Sequence, residues 1–91
     1  MATQILAVAA TAADSSDVLV VAGTPLTVCL KDAAGPIITH GARVNIFLKD
    51  DAGLYFLIEE LTSSKRAIVV TGPGTYRFSR PAGVSCGVFS G

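Results

Sequence analysis

The sequence predicts an all-β protein: an antiparallel β-sandwich of seven to eight short strands, immunoglobulin-like or jelly-roll. Three observations predict it. Apolar and polar residues alternate with period two along most of the chain. Turn signals recur every ~8–12 residues. No segment sustains a helical period over about ten residues. A chain of 91 residues holds one domain. We expect an N-terminal arm or first strand over residues 1–13 and a single sandwich over 14–91.

Each strand follows from its own pattern. Thr3 to Val8 forms the arm or first strand. Asp14-Ser15-Ser16-Asp17 reads as a turn, and the apolar run Val18 to Val21 follows it. Leu26, Val28 and Leu30 alternate with Thr27, Cys29 and Lys31. Arg43 to Lys49 and Leu54 to Glu60 are the densest alternating segments and the expected sheet centre. Their core faces are Val44, Ile46 and Leu48, and Leu54, Phe56 and Ile58. Between them Asp50 to Gly53 reads as a hairpin turn, with Gly53 taking the positive φ. Glu59 to Lys65 is the least patterned piece and could hold one helical turn. Ile68 and Val70 come next, then Tyr76 and Phe78 opposite Thr75, Arg77 and Ser79, and last Val84, Cys86 and Val88. Further turn signals are Gly23-Thr24-Pro25, Lys31 to Pro36, Ser63-Ser64-Lys65, Gly72-Pro73-Gly74 and Pro81-Ala82-Gly83.

Bulk properties exclude several function classes. Seven basic and seven acidic residues cancel, so the basic excess of a nucleic-acid binder is missing. No run approaches the ~18 apolar residues of a membrane span, and MATQILAVAA has no positive charge ahead of its apolar run, unlike a signal peptide. Zero net charge lowers the solubility of a lone monomer. Trp is absent and only four Phe and two Tyr are present. A thin aliphatic core of this kind gains stability from neighbours in an oligomer.

Motifs that imitate catalytic sites fail on context. Thr71-Gly72-Pro73-Gly74-Thr75 resembles a phosphate-cradling loop, but such a loop opens a helix. TYRFSR alternates as a strand instead, so Pro73 and Gly74 fit a type II turn at a hairpin corner. Gly83-Val84-Ser85-Cys86-Gly87 matches the G-x-S-x-G elbow of serine hydrolases. That elbow needs a helix, an acid and a histidine after it, and only Val88 to Gly91 follow. Gly83 and Gly87 instead permit a bend in a terminal edge strand. The single histidine, His40, lies in a loop. The aspartates at turns suit backbone capping and do not match a calcium loop. Glu59 and Glu60 point to opposite strand faces and cannot pair as acid and base. Cys29 faces out and Cys86 faces in, which argues against a disulfide and for a reducing compartment. No catalytic residue, metal ligand or cofactor site is therefore expected.

Candidate contact residues remain. Phe47, Tyr55 and Leu57 form a second apolar face, as a covered surface would. Arg77, Arg80, Lys65 and Arg66 are solvated edge charges or a patch for an acidic protein partner. Ile5, Leu6 and Val8 are the apolar residues of the arm, which could add a strand to a neighbouring sheet edge.

The hairpin LKDDAGLYFLIEEL and the run VTGPGTYRFSRPAGVSCGVF resemble small β-sandwich proteins encoded among the structural genes of tailed bacteriophages. The resemblance rests on Thr71, Gly72, Pro73, Gly74, Thr75, Tyr76 and Arg77, with Pro81 and Gly83, and spans roughly half the chain. Those proteins often carry a Trp after the hairpin turn, where this chain has Leu54-Tyr55-Phe56. The resemblance implies a virion component of the capsid decoration or cement type, assembled in the host cytoplasm. Its implied partners are the major capsid protein and further copies of itself, as a trimer. The alternative is a tail or fibre module that contacts a host glycan through Tyr55 and Phe47.

Overall fold

The computed structural model describes every residue except Met1, Ala34 and Pro36. Those last two belong to the expected turn at Lys31 to Pro36 and lie outside the described residues. Among the described residues there is no helix, and the strands are β1 (Thr3–Ala9), β2 (Ala13–Asp14), β3 (Val18–Val20), β4 (Leu26–Lys31), β5 (Arg43–Lys49), β6 (Tyr55–Thr62), β7 (Ala67–Val70), β8 (Gly74–Arg80) and β9 (Cys86–Ser90). One sheet has the order β1-β9-β4-β7; the other runs β2-β8-β5-β6, with β3 also on β8.

The short strands β2 and β3 are one edge strand with a bulge. Asp14 lies opposite Ser79 and Val18 opposite Tyr76, which leaves one extra residue on the edge side. Ser15 bridges the interruption. Its N–H donates to the Phe78 carbonyl at 2.7 Å, and its Oγ accepts from the Phe78 N–H at 3.0 Å.

Counted this way, the pairing is nested and antiparallel throughout. β5 pairs β6, β4 pairs β7, β2/β3 pairs β8 and β1 pairs β9. A long antiparallel ribbon wrapped across two sheets is the jelly-roll arrangement. The immunoglobulin alternative fails on one point: there the last two strands share a sheet, whereas β8 and β9 lie in different sheets.

The core is the facing side of both sheets. Val28, Leu30, Val44, Ile46, Phe78, Cys86 and Val88 are buried as their phase predicts. Cys86 is buried, Cys29 is half-buried and both thiols are free, also as predicted. Asp50 caps the β5–β6 turn by accepting from the N–H groups of Ala52 and Leu54 at 3.0 and 2.7 Å. Gly53 adopts φ 85° there, as the hairpin requires.

Several expectations change. Leu54, Phe56 and Ile58 are exposed rather than core. β6 is an edge strand, not a sheet centre. Opposite it, β7 has four residues against eight in β6, too few to cover its length. A bulge at Ile58 then reverses the parity: Leu57 pairs Phe47, Glu59 pairs Ile46, and Leu61 becomes the buried residue. The segment after Glu59 continues as strand to Thr62, with no helical turn. Residues Thr71 to Gly74 do not close a hairpin, because β7 and β8 occupy different sheets. They form a corner between sheets, locked by the Tyr76 hydroxyl donating to the Gly72 carbonyl at 2.7 Å. β9 is interior to its sheet, not an edge. Gly87 serves close approach: a Cβ there would lie 2.7 Å from the Leu6 carbonyl oxygen, where β1 shifts register.

Candidate interaction site

The hairpin of β5 and β6 carries the most exposed apolar surface. Leu54, Phe56, Leu57 and Ile58 are 48–60% exposed. Four apolar side chains in and around one strand end, all facing water, are a liability unless something covers them. The free backbone edge of β6 lies directly beside them.

The remaining edges all carry features that block strand addition. β7 is short, β2/β3 is interrupted, and β1 shifts register twice. Short, broken or bulged edges resist pairing with another chain. β6 has its guards only in the C-terminal half, at the Ile58 bulge, Glu59 and Glu60. Lys65 Nζ donates to Glu59 Oε2 at 2.7 Å, which holds that carboxyl below its ordinary range.

On the outer face of the same sheet, four side chains form a cross-strand knot. The bulge between β2 and β3 places Asp17 beside Arg77. Asp17 Oδ1 accepts from the Tyr55 hydroxyl at 2.8 Å and from Arg77 Nη2 at 3.2 Å. Asp17 Oδ2 accepts from Lys49 Nζ at 3.3 Å. The Arg77 guanidinium carbon lies 3.9 Å from the Tyr55 ring centroid, a cation–π contact. The Tyr55 hydroxyl, then Lys49 and Arg77, hold the Asp17 carboxyl below its ordinary value against partial desolvation. Arg77 Nε is closed off from solvent without a hydrogen-bond partner. The knot thus ties the β5–β6 hairpin to the opposite edge of its sheet.

The candidate contact residues separate clearly. Leu57 is exposed and lies opposite half-buried Phe47 on the outer face. Tyr55 shares that face and is half-buried, with the Arg77 guanidinium over its ring and its hydroxyl held by Asp17. Arg77 is committed to the same knot. Leu6 is 5% exposed and belongs to the core, while Ile5 and Val8 are half-buried. The arm is therefore strand β1 of the sandwich, paired with β9, and not a free clamp; the expected boundary at residue 13 falls inside β2.

Arg80 is a second correction. It is 3% exposed and no part of a surface patch. Nε donates to the Thr11 carbonyl at 2.6 Å, and Nη1 donates to the carbonyls of Ala7 and Cys86 at 2.7 and 2.8 Å. The signal was present in the sequence, since Arg80 shares strand phase with buried Tyr76 and Phe78.

Elsewhere, Asp32 accepts from the Ala33 N–H at 2.7 Å, from Ser85 Oγ at 3.1 Å and from Thr39 Oγ1 at 3.2 Å. These bonds, the Ala33 amide first, hold its carboxyl below the ordinary range. Ser85 of the G-x-S-x-G match therefore binds a loop carboxylate, in a strand approach and not on an elbow. An open groove of about 310 Å³ runs between Gly41, Arg43 and the Pro81–Val84 turn. Among the described residues, no three His, Cys, Asp or Glu side chains converge as metal ligands. Among the described residues, no helix is long and apolar enough to cross a membrane.

Fold and surface together define an all-β antiparallel sandwich with an exposed apolar edge. Comparison with protein-family models, curated proteins and solved structures returns no match for this chain.

Proposed function

We propose that this chain is a structural virion protein of a tailed bacteriophage, which binds the capsid exterior as a homo-oligomer and stabilises the shell. The observation that carries the reading is the exposed run Leu54, Phe56, Leu57 and Ile58 beside the unpaired edge of β6. A chain with such an edge is built to be covered in an assembly. The hairpin and the Thr71–Arg77 corner, which resemble phage structural proteins, supply the virion context. The jelly-roll arrangement is common in capsid domains, which is analogy of fold alone.

In this reading the mechanism is surface burial repeated across many copies. Each copy contributes a modest contact, and linkage through the oligomer raises the effective affinity without any one strong contact. Tyr55 and Phe47, the aromatic residues of the glycan-binding alternative, are both half-buried, and the Arg77 guanidinium lies over the Tyr55 ring.

The test is co-sedimentation of the purified chain with empty phage capsids. The reading predicts that the chain pellets with capsids at saturable stoichiometry and raises their resistance to heat. A chain left in the supernatant at every capsid concentration would overturn it.

A further inference from the structure

We infer that two copies of this chain join antiparallel through their β6 edges, merging their β6 sheets into one continuous sheet across a two-fold axis. The inference rests on the reading of the chain as an assembly protein and names its self-contact.

Three features select a second copy, in this orientation, as the occupant. First, β6 is the only strand edge, among the described residues, with an unguarded half, and its backbone groups there lack a strand partner. An identical edge is a matching template, and closed two-fold contacts are the commonest way identical chains associate. Second, the apolar run is self-complementary. With the axis beside Phe56 and Leu57, the run Leu54 to Ile58 of each copy lies along the same run of the other, and all four exposed apolar side chains gain cover.

Third, the turns that flank β6 carry opposite charges. Asp50 and Asp51 occupy the turn before it and Lys65 and Arg66 the turn after it. Among the described residues Asp51 and Arg66 take part in no ion pair within the chain. An antiparallel contact brings each acidic tip to the partner's Arg66 and Lys65. A parallel contact would place acid against acid and base against base. In the antiparallel contact Glu59, paired with Lys65 in its own chain, and Glu60 fall away from the axis.

The test is light scattering after size exclusion, over a dilution series, on the full chain and its variants. The wild-type chain is expected to run as a dimer. L57K places a lysine on the exposed edge without disturbing the core and is expected to run as a folded monomer, its fold checked by circular dichroism. D51R and R66D each oppose like charges at both ends of the contact. Each is expected to weaken the dimer about tenfold, since the pair occurs twice. The double variant D51R/R66D restores opposite charges and is expected to return to wild-type affinity. A wild-type chain that stays monomeric throughout the micromolar range overturns the inference. So does an oligomer indifferent to L57K, or a double variant weaker than either single one. Capsids are absent from this experiment. A dimer that ignores capsids sinks only the virion reading, and a monomer that binds capsids sinks only this one.

Discussion

The guanidinium of Arg80 donates to the carbonyl oxygen of Ala7 at 2.7 Å, across 73 positions of sequence. The same nitrogen donates to the Cys86 carbonyl and Nε to the Thr11 carbonyl. One buried cation thus satisfies carbonyls on β1, on the link to β2 and on β9, and so joins the outermost ribbon pair to the other sheet. Among the described residues no carboxylate pairs with it; three backbone dipoles take that place. Removing one partner of such a set strands the rest. Arg80→Met takes the donor from three carbonyls and is expected to destabilise by about 1–3 kcal/mol, measured by urea unfolding, with Arg80→Lys intermediate. A loss below ~1 kcal/mol would show that the carbonyls find water.

The corner between the sheets hangs on a single hydroxyl. Tyr76→Phe removes the bond to the Gly72 carbonyl and keeps the buried ring. The expected cost is about 1 kcal/mol, read as a shift in the denaturant midpoint with the m-value unchanged.

Gly87 has no room for a side chain. The position its Cβ would take is 2.7 Å from the Leu6 oxygen and 3.0 Å from the Val8 nitrogen, both backbone atoms that can move only if β1 moves. Gly87→Ala is expected to cost about 1–3 kcal/mol and to speed hydrogen exchange in β1. An alanine variant as stable as wild type would contradict the observed approach of β1.

The Asp17 knot makes stability depend on pH in a stated direction. The Asp17 carboxyl is held below its ordinary value by the Tyr55 hydroxyl, and then by Lys49 and Arg77. A depressed folded pKa contributes stability above the unfolded value, near 3.9, which is lost as pH falls through the folded one. Asp17→Asn is therefore expected to lower the melting temperature at pH 7. The gap to wild type is expected to close progressively below about pH 4. A gap that is constant across that range would mean that the charge contributes nothing.

The two thiols differ in access. Cys29 is half-buried, whereas Cys86 is fully buried and its thiol points at the Arg43 carbonyl at 3.8 Å. Burial raises the Cys86 thiol above its ordinary pKa, which suppresses the reactive thiolate. Alkylation of the native chain followed by mass spectrometry is expected to modify Cys29 first. Cys86 is expected to react only after unfolding.

Strand positions and most of the core were legible because the period-two pattern reports which face is buried. It worked for β4, β5, β8 and β9, whose neighbours lie on both sides. It failed on β6 for two physical reasons. A bulge is one residue long and leaves no compositional trace, so the switch of phase at Ile58 was invisible. The pattern also cannot tell whether an opposite strand is long enough to cover an apolar face, so Leu54 and Phe56 read as core. At Arg80 a charge at a strand end suggests solvent, but its shared phase with Phe78 is the better guide to its burial. The Asp17 knot was beyond reach, since Asp17, Lys49, Tyr55 and Arg77 meet only through the sheet order. Of the interaction surface, Leu57 and the turn charges could be read from the sequence; the open edge beside them could not.

Hydrogen exchange of the β6 amides at low and high protein concentration tests the central claim most directly, because it reads the edge itself. If copies pair through β6, amides between Tyr55 and Ile58 that face away from β5 gain protection on concentration, while β1 and β7 stay as they were. If exchange across Tyr55 to Ile58 is the same at both concentrations, the edge is open in solution and assembly through β6 is contradicted.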